Sequence, residues 1–273
     1  MRARLIQAAL VFIVSAQTGL AQTGSMPDRL LTALGLPQIV EIMRTEGLRS
    51  GDELARDMIM GSALDQLQRD VDRIYNPDAM EQTVRAGFAE AVGDTDLAPL
   101  VSFFESDEGQ RVVGLELSAR QAMTDPGVEE AARERARSLD GSDDPRFALV
   151  TRFIAANDLV VANVAGALNS NFAFYKGLGD GGAFEMSEGD MLADVWSQED
   201  ETRADTREWL YAFLLMAYGP LGDGDLERYI ALSSTPEGQA MNRALFTGFN
   251  SMFDQISYAL GRSAARAMQS EEL

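Results

Sequence analysis

From Pro27 onward, apolar residues recur at three- and four-residue spacings, and no stretch alternates as a strand would. Leu30, Leu31 and Leu34 mark a short helix that breaks at Gly35 to Pro37. Ile39, Val40 and Met43 lie on a second, which Gly47 is expected to end as a C-cap. Ser50 with Glu53 reads as a capping box for a helix through Leu54, Met58, Leu64, Leu67, Val71 and Ile74. Asn76-Pro77 starts the next, with Met80, Val84 and Phe88 on one face. Asp96 starts a short helix through Leu97, Leu100, Val101 and Phe104. Ser106 precedes another, with Val112, Val113 and Leu117. Asp125-Pro126 opens a polar helix expected to be largely exposed, and "DGSDDP", Asp140 to Pro145, is the best linker.

The second half repeats the plan. One long helix is expected from Asp144-Pro145 through Phe153, Val160, Val164, Leu168, Phe172 and Tyr175. A Gly-rich acidic loop follows, helix resumes near Glu188, and Trp209, Phe213 and Tyr218 lie on a core helix. Asp225 starts a short helix, and Thr235-Pro236 opens a last long one through Met241, Leu245, Phe249, Met252, Ile256 and Leu260. The fold class is therefore all-α.

"SFFESDEGQRV", Ser102 to Val112, and "ALSSTPEGQAM", Ala231 to Met241, are nearly the same phrase, 129 positions apart. Each reads as a short helix, a polar turn and a long amphipathic helix. Ser106 and Thr235 are aligned as N-caps, and Pro236 suits the first helical position. Gly109 and Gly238 sit in a first helical turn, where glycine costs about 1 kcal/mol against alanine. Their retention in both copies points to a close backbone contact; a binding notch lined by Gln110 or Gln239 is the functional alternative. The match loosens upstream, where "RTEGL" at Arg44 resembles "FYKGL" at Phe174. We read two related helical-bundle halves arising from an internal duplication, 22–140 and 141–273, behind a signal peptide at 1–21.

The two phrases also resemble the F-Y-x-S-P-x-G-[KQ] core of domain of unknown function 2059 (DUF2059), and Arg29 to Met43 looks like that family's opening helix pair. Ser106/Thr235, Gly109/Gly238 and Gln110/Gln239 match the pattern; Asp107 and Leu232-Ser233 depart from it. The resemblance implies an exported, mostly helical bacterial protein and brings no activity or catalytic residues with it.

The N-terminus sharpens the compartment. Arg2 and Arg4 precede an apolar run from Leu5 to Val14, with Gly19 and Ala21 placed for a cut before Gln22. Ser15-Ala16 offers a second cut, and an uncleaved anchor is the rival reading, although the run is short against the roughly 20 residues of a spanning helix. The expected location is periplasmic, with secretion as the alternative, and no transmembrane segment is expected after cleavage. Cleavage removes two arginines and no acid, taking the net charge from −20 to −22. Such a protein is expected to be repelled by nucleic acid and by anionic lipid. With no cysteine, the 46% hydrophobic composition must hold the fold through its core.

There is no histidine either. Ser-His-Asp and Cys-His catalysis, His/Cys zinc sites and His-ligated haem are thereby excluded. Lys176, the sole lysine, has no Ser-x-x-Lys partner and no phosphate-loop context. Carboxylate chemistry and oxygen-liganded cations stay open. Asp180, Glu185, Glu188 and Asp190 cluster in one loop and Asp223 and Asp225 flank Gly224 in another, but neither follows a helix-loop-helix calcium register. Asn157, Asn163, Asn169 and Asn171 could line an internal groove, or simply accompany the small residues Ala162, Gly166 and Ala167 at a helix crossing. No cofactor, metal or catalytic residue is assigned. The expectation is a non-enzymatic binding or protein-interaction module of the cell envelope, with an envelope protein partner or self-association; the alternative is a carboxylate-based or divalent-cation-dependent enzyme.

Overall fold

The computed structural model describes residues 24–58 and 62–271. The signal-peptide reading, including the cut before Gln22, lies outside the described residues. Among them the chain forms thirteen helices and no strand. In the first half these are α1 (Met26–Ala33), α2 (Leu36–Met58), α3 (Ser62–Ile74), α4 (Pro77–Val92), α5 (Ala98–Phe104), α6 (Asp107–Ala122) and α7 (Pro126–Leu139). The second half contributes α8 (Pro145–Ala156), α9 (Leu159–Asp180), α10 (Glu188–Trp196), α11 (Glu199–Tyr218), α12 (Asp223–Ser233) and α13 (Pro236–Glu271).

Most helix starts follow local capping chemistry. Asn76, Ser106, Asp125 and Asp144 each accept a backbone N–H of the first turn, and proline follows three of them at the first helical position. Two expected boundaries are corrected. Gly47 does not end a helix and Ser50 caps none, because α2 runs through both. Gly47 and Gly51 are instead where α3 presses closest: a Cβ at Gly47 would lie 2.1 Å from the Tyr75 ring, and one at Gly51 would lie 2.5 Å from Val71. The helix expected from Pro145 to Tyr175 is two, α8 and α9, bent by 56°. Asp158 makes the bend with a left-handed backbone, φ 50°.

One buried apolar cluster draws residues from both halves, from Leu30 and Phe88 to Phe213 and Phe249. The halves exchange partners: α13 packs extensively on α4 as well as α9, and α11 packs on α6 and α7. Glycines set two of these crossings. A Cβ at Gly261 would lie 2.2 Å from Phe174 O on α9, and one at Gly248 would lie 2.6 Å from Val84 O on α4. No single described helix is long and apolar enough to cross a membrane; the bent pair α8–α9 reaches that length and composition only together.

Candidate functional site

The repeated phrase forms two matching elbows. Ser106 Oγ accepts Gly109 N–H at 3.2 Å and donates to Phe103 O at 2.6 Å. Thr235 Oγ1 does the same with Gly238 N–H at 3.0 Å and Leu232 O at 2.8 Å. A Cβ at Gly109 would meet Phe103 O at 2.1 Å, and one at Gly238 would meet Leu232 O at 2.3 Å. The glycines therefore let a new helix start directly against the last turn of the preceding one.

Gln110 and Gln239 turn their amide nitrogens onto backbone carbonyls. Gln110 Nε2 donates to Ala33 O at 3.2 Å, and also to Phe104 O. Gln239 Nε2 donates to Ala156 O at 2.7 Å. Ala33 ends α1 and Ala156 ends α8, so each glutamine satisfies a carbonyl that a helix C-terminus leaves open. The first elbow thereby latches the α5–α6 pair to α1, and the second latches the α12–α13 pair to α8.

Among the other sequence candidates, the four acids from Asp180 to Asp190 stay together while the asparagines do not share a partner. Asn157 and Asn163 donate to Phe153 O and Leu159 O within their own helical segments, Asn169 is exposed and Asn171 is half-buried. Among the described residues no group of three or more acids is placed to hold a metal ion. Asp180 accepts from Tyr258, Glu188 pairs with Lys176 at 2.9 Å, and Asp190 accepts from Ser187. Asp223 and Asp225 lie not in a loop but in the first turn of α12, where Asp223 pairs with Arg146 and Asp225 with Arg228.

Two features escaped the sequence reading. The first is a polar cluster inside the core. Glu116 is 0% exposed and accepts the Tyr218 hydroxyl at 2.5 Å, while its Oε2 has no hydrogen-bond partner. Burial raises its pKa well above the ordinary carboxylate range, against the hydrogen bonds of Tyr218 and Tyr229, which lower it. Burial likewise raises both tyrosines. One turn along α6, Arg120 is 2% exposed, pairs with Glu46 and lies 5.0 Å from the Trp209 ring. The signal was available: Gly109, Val112, Val113, Glu116, Ala119 and Arg120 make one helical stripe, and two of its members are charged.

The second feature is α10. Met191 and Val195 are buried, and Val195 joins Val164 and Leu168 of α9 in a satellite cluster. Leu192 and Trp196 are 46% and 57% exposed. Gly189 and Ala193 are exposed as well, giving an outward face at i, i+3, i+4 and i+7. A cleft of 680 Å³ opens at the start of this helix, lined by the four acids Asp180, Glu185, Glu188 and Asp190 together with Lys176 and Phe184.

Residues 78–138 match the model of the DUF2059 family, described as an uncharacterized protein conserved in bacteria. The match runs from α4 to α7 and contains the first elbow; Arg29 to Met43 and the second elbow lie outside it. No curated protein and no solved structure shows significant similarity to the chain.

Proposed function

We propose that this protein is an exported, non-enzymatic interaction module of a bacterial cell envelope, and that its halves descend from one helical unit. The observation that carries the interaction reading is the outward face of α10, where Leu192 and Trp196 stay exposed while Met191 and Val195 hold the helix to the body. Tryptophan is enriched among the residues that dominate protein interfaces. The carboxylates with raised pKa offer no competing active site. Glu116 is sealed, and part-buried Asp254 accepts from Ser170 at 3.2 Å; neither lines the cleft beside α10. The duplication is supported by the matching hydrogen bonds of the two elbows. Export is supported by the N-terminal pattern, Arg2 and Arg4 before an apolar run.

A photoreactive amino acid at position 196, introduced in the living source bacterium, tests the interaction reading. It should crosslink one envelope protein that the same probe at exposed Arg135 does not. Equal products from both positions, or none from either, overturn it. N-terminal sequencing of the mature protein tests export, with Gln22 expected first.

A further inference from the structure

The segment around α10 carries charge of one sign. Eight acids and no basic residue lie between Lys176 and Arg203. Both flanking cations are already engaged, Lys176 with Glu188 and Arg203 with Glu199. At 100° per residue, the outward face of Gly189, Leu192, Ala193 and Trp196 lies between Asp190 and Asp194 on one edge and Glu188 on the other. Gly189 and Ala193 form a ridge of small residues beside the ridge of Leu192 and Trp196, and a ridge of small residues lets a crossing helix approach closely. A nine-residue helix is too short to stand alone, and α10 takes its packing chiefly from α9.

Resting on the interaction reading, we infer that α10 docks a cationic amphipathic helix of another protein, whose apolar stripe covers Leu192 and Trp196 while its lysines or arginines meet the flanking acids. The spacing of the outward face is that of helix-on-helix recognition. A second copy of this chain is disfavoured, because a two-fold contact would set the same acids against each other. An anionic bilayer is disfavoured on the same electrostatic ground.

The probes are model peptides of roughly 18 residues, about five turns of helix. One is built of leucine and lysine, and the other has glutamate in place of lysine. Binding is read by anisotropy of a labelled peptide and by emission of Trp196, corrected with W196F. The full mature chain should bind the cationic peptide at least tenfold more tightly than the anionic one. Emission should shift to the blue, and raising salt from about 50 mM to about 500 mM should weaken binding severalfold. L192A/W196A should lose at least tenfold in affinity with an unchanged melting temperature, since both side chains face water. Undiminished binding by that variant, equal binding of both peptides, binding to phosphatidylglycerol vesicles through Trp196, or dimerisation abolished by the variant would each overturn the inference. A crosslink at position 196 to a protein whose contact segment is not cationic would sink this inference and leave the interaction reading standing. Absence of any crosslink would sink both.

Discussion

Tyr218 on α11 donates its hydroxyl to Glu116 Oε1 on α6 at 2.5 Å, and neither side chain reaches solvent. The bond joins the two halves where α6 and α11 cross, so the acid's ionisation is linked to the packing of the halves.

Glu116 makes stability pH-dependent in a defined direction. Burial raises its native pKa above the unfolded value, so the native state keeps a proton that the unfolded state has lost. The contribution is fully present below the unfolded pKa and is lost as pH rises towards the native one. The slope while only the native state is protonated is about 1.4 kcal/mol per pH unit. E116Q mimics the protonated acid at all pH values and removes the slope. Urea unfolding across mildly acidic to mildly basic pH should show the variant pulling ahead of the wild type as pH rises. Parallel curves would mean that Glu116 is ionised in the native protein.

Y218F removes the donor and leaves a buried carboxyl with less support. The expected loss is about 1–3 kcal/mol. Because the tyrosine hydrogen bond lowers the Glu116 pKa, its removal also raises that pKa further. In the E116Q background the same substitution should change the pH dependence no further, which a double-mutant cycle at two pH values would read.

Glu46 and Arg120 give a second buried test. Arg120 is 2% exposed, pairs with Glu46 through two nitrogens and stacks on Trp209. E46A leaves that guanidinium without this carboxylate, at an expected cost of about 3 kcal/mol in urea unfolding. A loss below about 1 kcal/mol would place the pair in the class of solvated surface bridges.

What the sequence made legible was local. Asn76-Pro77, Asp125-Pro126, Asp144-Pro145 and Ser106 each carry their cap within three residues, so the helix starts were readable. Gly47 carries no such local sign, because its reason is tertiary: Tyr75, which directly follows α3, lies against it. The bend at Asp158 was hidden because the apolar spacing continues across it, and only the left-handed backbone reveals it. Glu116 could have been found as an acid on the buried stripe of α6. The exposure of Leu192 and Trp196 could not, since the spacing of apolar residues does not say which of two apolar faces meets the body.

The elbows yield the sharpest sign test. In an ordinary helix, replacing glycine with alanine stabilises by about 1 kcal/mol. At Gly238 the new methyl would fall 2.3 Å from Leu232 O, a backbone atom that cannot swing aside, so the start of α13 must shift. G238A should therefore destabilise by at least about 2 kcal/mol, and G109A should follow, with Phe103 O at 2.1 Å. Q239A and Q110A remove only the bonds to Ala156 O and Ala33 O, and each should cost about 1 kcal/mol. Circular dichroism during urea titration would rank the four. Stabilisation by either alanine at a glycine position would show that the elbow relaxes without cost, and that the phrase is kept for something other than this crossing.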